Sequence, residues 1–116
     1  MYIISDEVAQ LNGKIPKKSE AMKMVKHIVL FKLKDQLDRP KAIEALSSMK
    51  GMIEGMIDLE VGEDFLASER SYDIALITTH TDKEALDFYQ AHPVHQPVKK
   101  VMHTIRESSV AVDYEF

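Results

Sequence analysis

The chain has 116 residues, 45 % of them apolar, no cysteine, and a net charge of −4 with a pI near 5.7. That length corresponds to one domain and that apolar share to a globular one. The missing cysteines exclude disulfides, thiolate catalysis and cysteine–zinc sites, and the acidic balance argues against a nucleic-acid partner.

Residues 1–23 read as an N-terminal extension. Ser5-Asp6-Glu7 can start a short helix that stops near Gly13, and residues 13–20 are turn formers and charges. The Lys14, Lys17, Lys18 and Lys23 group is sparse and reads as a solvated tail. A regular domain follows over residues 24–116. No apolar run approaches the ~20 residues that cross a bilayer, and no basic segment precedes an apolar core. The expectation is a cytoplasmic protein with no membrane partner.

Residues 25–34 are rich in β-branched and aromatic side chains and predict a strand. Val25, His27, Val29, Phe31 and Leu33 share one face; Ile28 and Leu30 lie on the other between Lys26 and Lys32. Both faces are apolar at the centre, which implies burial on both sides. Asp38 and Pro40 open a first helix as cap and early-turn proline. Ala42, Ala45, Leu46, Met49 and Ile53 recur at helical spacing, and Gly55 ends the helix. Ile57, Leu59 and Val61 alternate with Asp58 and Glu60 in a strand with one solvated face. After a polar loop, residues 72–79 form a third strand with Ile74 and Leu76 on one side and Ala75 and Ile77 on the other.

Thr81-Asp82-Lys83-Glu84 is a capping box that opens a second helix. Its inner face carries Ala85, Phe88, Tyr89 and His92, and Pro93 stops it at His92. Pro97 begins a short turn that points Val98, Val101 and Met102 inward, and residues 103–114 make the last strand. Met49, Met52 and Met56 read as core packing. His80 and His103 fall near strand ends and read as solvated.

The order β-α-β-β-α-β predicts an α+β, ferredoxin-like sandwich: four antiparallel strands with two helices on one face. The open face of the sheet stays apolar in a single copy. The simplest cover for it is a second copy in a twofold homodimer.

Residues 24–32 (MVKHIVLFK), Val61-Gly62-Glu63-Asp64, Tyr72-Asp73-Ile74-Ala75-Leu76 and the segment from Tyr89 to His95 resemble the stress-responsive A/B barrel (Dabb) family over residues 24–114. The resemblance implies a dimeric α+β barrel closed between two sheets. Many members of the family have no assigned reaction; one plant member is a polyketide cyclase working by intramolecular aldol chemistry. In that enzyme a tyrosine and a histidine at the end of the second helix act on the substrate, the histidine as base. The matching positions are Tyr89 and His95, and His27 matches a further pocket histidine on the first strand. A pocket histidine of the third strand has no match, because the corresponding position is close to Ile74.

The expected catalytic set is therefore His95, Tyr89 and His27, with His92, Ile74 and Phe88 lining the substrate. Each has a structural alternative: a hydrogen-bonded core histidine at His27, a core ring with its hydroxyl on the backbone at Tyr89, and a helix-end stabiliser at His92. Pro93 breaks regular spacing between His92 and His95 and no third ligand is evident, so no metal is expected, and no cofactor. The expected function is a small dimeric protein of unassigned activity that binds a small organic molecule or serves a stress or structural role. The alternative is a cofactor-independent enzyme, polyketide-cyclase-like or a related lyase or isomerase, using a Tyr/His acid–base pair.

Overall fold

The computed structural model describes residues 23–116, so the expected helix after Ser5 and the polar stretch 13–20 lie outside the described residues. The elements in chain order are β1 (Val25–Leu33), a 3-10 turn (Gln36–Asp38), α1 (Arg39–Ser47), β2 (Met56–Glu63), β3 (Ile74–His80), α2 (Lys83–Ala91), α3 (His95–Ile105) and β4 (Arg106–Glu115). The four strands form one sheet in the order β2-β3-β1-β4 with antiparallel neighbours throughout. This is the ferredoxin-like α+β arrangement, with three α-helices among the described residues where two were expected over the same stretch. Among the described residues, no helix is long and apolar enough to cross a membrane.

The extra helix occupies the place of the turn expected at Pro97. Pro97 is the third residue of α3, inside the first turn, where a backbone N–H has no intrahelical partner to lose. Val98, Met102 and Ile105 then fall on one buried stripe with Val101 beside it. As a result β4 begins at Arg106, and His103 sits exposed in the last helical turn.

α1 ends earlier than expected. The Ser48 hydroxyl bonds the Ala45 carbonyl (2.6 Å), and the amides of Met49 and Lys50 reach back three residues rather than four. The chain leaves through Gly51 at φ +74°. Met49 and Ile53 are still buried, whereas Met52 is exposed and plays no part in the core. Asp38 makes no side-chain cap; Asp35 instead accepts from the Leu37 amide (2.9 Å) at the preceding turn. The cap of α2 is likewise Asp82, accepting from the Ala85 amide at 2.8 Å, while the Thr81 amide donates to the Gly55 carbonyl. Gly55 is forced: its φ is +88°, and a Cβ there would lie 2.8 Å from the Cβ of Ala85.

β2 carries a register break between Met56 and Asp58. The bulged residue, Ile57, turns outward and is exposed, while Leu59 keeps the inward face. The core lies between sheet and helices and is built from Phe31, Leu33, Ala42, Leu46, Met49, Leu59, Ile74, Leu76, Tyr89, Val98, Met102 and Ile105 with their neighbours. Truncating a fully buried member such as Leu46 or Met49 to alanine costs about 2–5 kcal/mol.

Among the described residues, no helix covers the other side of the sheet. The β1–β3 and β1–β4 registers set Ile28 between Ile77 and Val112, and Leu30 between Ala75 and Val110. Val110, Val112 and Tyr114 are exposed. The face is thus apolar along β4, β1 and β3, and becomes acidic at β2 with Asp58 and Glu60.

Candidate functional site

Tyr89 is the last inward-facing residue of α2 and is 0 % exposed. Its ring stacks on His95 (centroids 4.2 Å apart), meets His27 edge-on (5.8 Å) and leans on His80 (5.0 Å). Three imidazoles from three elements therefore surround one phenol. The chain achieves this by ending α2 sharply. His92 leaves the helix in an extended conformation before Pro93, its Nδ1 accepts from the Val94 amide (3.0 Å), and α3 starts again at His95.

The cluster opens on a cavity of about 550 Å³ between the sheet and α3, within the usual range for small-molecule sites. His27, Tyr89 and His95 all line it. Its floor is apolar, from Val29, Phe31, Leu46, Leu76, Val98 and Met102; Lys99, Lys100, His103 and Arg106 line it along α3 and the start of β4.

The remaining expected residues go elsewhere. Phe88 is 50 % exposed and packs edge-on against His92, outside the cavity lining, because α2 turns Ala85, Leu86 and Tyr89 inward instead. His92 closes the turn and does not line the cavity, which is its helix-end alternative. Ile74 is buried in the core at the far end of β3 and is not among the cavity residues.

His80 departs from expectation most. It is fully buried, not solvated, because the inward alternation of Ile74, Leu76 and Thr78 runs one step further along β3. That period-two pattern was the available signal. Strand three does bring a histidine to the cluster, at His80 and not near Ile74. Its Nε2 bonds the Thr78 hydroxyl (2.8 Å) and its Nδ1 has no partner among the described residues. Asp113 is the other residue that the strand pattern did not reveal. It pairs directly across the β1–β4 ladder with His27, and its carboxylate Oδ1 bonds the His27 Nδ1. No local signal marks it, because the register joins positions 86 apart.

Electrostatics assign protons. The Tyr89 carbonyl can only accept, so His95 Nδ1 (3.1 Å) carries the hydrogen and leaves the lone pair on Nε2. Burial pushes His95 down to about 4, with the Lys99 charge adding to it against the bond to the Tyr89 carbonyl. Burial likewise pushes His80 down to about 4. Both imidazoles are neutral at pH 7. Burial raises the Tyr89 hydroxyl to about 12, so it stays protonated, and it has no hydrogen-bond partner among the described residues. The structural alternative for Tyr89, a hydroxyl bonded to the backbone, is thus not what is seen. The arrangement offers a neutral O–H donor and imidazole acceptors around one apolar cavity, a set able to move protons on a small molecule.

Known proteins place the chain. The sequence model of the stress responsive A/B barrel domain matches residues 25–116. An uncharacterised protein of Streptomyces coelicolor is 33 % identical over 98 residues, covering 80 % of this chain and all of its own. A dimeric ferredoxin-like protein of unknown function from Bacteroides fragilis is 34 % identical, with a TM-score of 0.68 over 80 % of this chain and 96 % of that one. A dimeric ferredoxin-like protein of unknown function from Thermobifida fusca shares the fold at 23 % identity, with a TM-score of 0.74 over 83 % and 93 % of the two chains. None of these relatives has an assigned activity, and on the family match the chain belongs to the stress responsive A/B barrel domain family.

Proposed function

We propose that this chain is a homodimer in which each subunit binds a small organic carbonyl compound in the Tyr89 cavity and moves a proton on it with its own side chains. The observation that carries the reading is the buried, unpartnered Tyr89 hydroxyl on a cavity shared with His27 and His95. A hydroxyl buried without a partner costs about 1–3 kcal/mol, a cost that a bound oxygen acceptor would remove.

The roles follow from the proton assignments. Asp113 accepts from His27 Nδ1, which leaves Nε2 as the acceptor and stabilises the imidazolium that forms when it takes a proton. His95 has no carboxylate behind it among the described residues, and burial holds it near 4, far from a neutral working pH. His27 therefore takes the proton beside the carbonyl. Tyr89 donates to the oxygen on which charge develops, and His95 stacks against Tyr89 to fix its ring. Proton removal beside a carbonyl serves isomerase, lyase and aldol-type ring-closing reactions alike.

The dimer rests on the apolar open face, with Val110 and Val112 exposed beside Ile28 and Leu30, and on the dimeric state of the Bacteroides fragilis and Thermobifida fusca relatives. A second copy covers the apolar strands, as two sheets closing one barrel.

The test is deuterium wash-in at the α-carbon of a panel of carbonyl compounds in heavy water. His27→Ala should slow exchange about 10²–10⁴-fold and Tyr89→Phe comparably, whereas light scattering should still give a dimer. His95→Ala should cost less than either. Exchange that survives in both His27→Ala and Tyr89→Phe ends the catalytic reading. Val112→Lys should yield monomers; a dimer that persists means the open face is not the interface.

A further inference from the structure

The cavity's charges are one-sided. Lys99, Lys100, His103 and Arg106 line it, and among the described residues no aspartate or glutamate does, in a chain whose net charge is −4. Three cations outside the cavity have carboxylate partners: Arg39 with Glu63 and Asp73, Lys23 and Lys83 with Glu115. The cavity cations have no such partner among the described residues. Lys99 donates to the Gln90 carbonyl (2.6 Å), and the Arg106 guanidinium meets only His103 Nδ1, at 3.5 Å.

The geometry adds a direction. His95, Lys99 and His103 lie at i, i+4 and i+8 on α3, one stripe along the cavity wall. At 1.5 Å per residue, Lys100 stands about 7.5 Å and His103 about 12 Å along the helix from His95, so the cations begin beyond the first turn from the phenol–imidazole end. Between them the floor is Val29, Phe31, Leu46, Leu76, Val98 and Met102.

We propose that the ligand is an organic monoanion with an apolar body, its carboxylate held at Lys100 and Arg106 and its apolar part laid along the floor toward Tyr89. The inference rests on the cavity reading above and names the substrate class for it. Arg106 presents the planar fork that matches a carboxylate, and Lys100 adds a point charge.

Phenylbutyrate and its neutral counterpart phenylbutanol have the required length and apolar body, and calorimetric titration of the full chain reads their affinities. Phenylbutyrate should bind about tenfold more tightly, an advantage that shrinks as salt is raised. The double variant Lys100→Gln/Arg106→Gln should lose that tenfold and leave phenylbutanol unchanged. Ala111→Leu, which narrows the cavity from its sheet side, should weaken both compounds. Circular dichroism confirms that each variant is folded. Equal affinity for the acid and the alcohol overturns the anion inference and leaves the cavity reading standing. Acid binding that survives Ala111→Leu places the anion on the outer surface and also overturns it. Binding of neither compound to the parent chain overturns the inference and removes support from the cavity reading together.

Discussion

Two buried polar clusters sit under the same sheet and behave in opposite ways. At the Asp73 end everything is answered. Asp73 Oδ2 accepts the Leu33 amide (2.7 Å), Arg39 reaches Oδ1 (3.5 Å), and the Asp73 amide closes on the Phe31 carbonyl. Arg39 in turn donates to the Asp64 carbonyl and to Gln36. At the Tyr89 end two polar atoms, the Tyr89 hydroxyl and His80 Nδ1, are buried without partners among the described residues, and a cavity lies alongside. Burial by itself therefore says little about function. A satisfied buried polar group ties strands together; an unsatisfied one beside open space is set for a ligand.

Acid should separate the two ends most strongly. Burial holds His80 and His95 near 4, below the ordinary 6.5. Between pH 6.5 and 4 the unfolded chain therefore binds about two more protons than the folded one, and stability falls as pH drops. It is full above pH 6.5, and the loss by pH 4 is on the order of several kcal/mol. Asp73 works in a different window. Burial would raise its carboxyl, but the Leu33 amide, Gln36, Lys32 and Arg39 outweigh that and hold it below 3.8, so its contribution disappears only under more acid conditions. Urea midpoints measured across pH should fall with a slope near two protons from 6.5 to 4, and the slope should vanish in His80→Gln/His95→Gln. A flat profile over that range means neither histidine is buried neutral.

Asp73→Ala is next in size. It leaves the Leu33 amide buried and the Arg39 guanidinium half-buried beside an absent carboxylate, a loss of about 2–4 kcal/mol in urea unfolding, while the cavity at the other end keeps its ligand affinity. A loss below 1 kcal/mol would place Asp73 among ordinary surface residues.

The same contrast explains what could be read from the residues alone. The two-sided apolar alternation of Val25 to Leu33 is local, and it led to the central strand, the layer order and the open face. Tyr89, His95 and His27 stood out by chemical type, and they do share one cavity. What stayed hidden depends on register. Asp113 meets His27 only because β4 pairs with β1 at that offset, and the bulge at Ile57 leaves no trace in an otherwise regular alternation. Phe88 was misplaced because Ala85-Phe88-Tyr89 fits the i, i+3, i+4 template, yet Leu86 and Tyr89 are also three apart, and it is this second pair that α2 turns inward with Ala85. The start of α3 was legible as a turn at Pro97 with Val98, Val101 and Met102 inward, but not its full length: proline is tolerated in a first helical turn, and the buried stripe runs on to Ile105.

The smallest stability effect is the sharpest test of the comparison. Tyr89→Phe removes the unpartnered hydroxyl and keeps the ring between His27, His80 and His95. Since the hydroxyl is desolvated without a bond in return, its loss should leave stability within about 0.5 kcal/mol of the parent or raise it by up to about 1 kcal/mol. The corresponding change at the other end, Asp73→Asn, keeps the shape but drops the charge that Arg39 answers, and should be destabilising. If Tyr89→Phe instead costs 2 kcal/mol or more, the hydroxyl is bonded in the folded protein. It then belongs with Asp73 as a structural tie, and the opposition between the two ends disappears. If stability holds while deuterium wash-in is lost, the hydroxyl is reserved for the ligand.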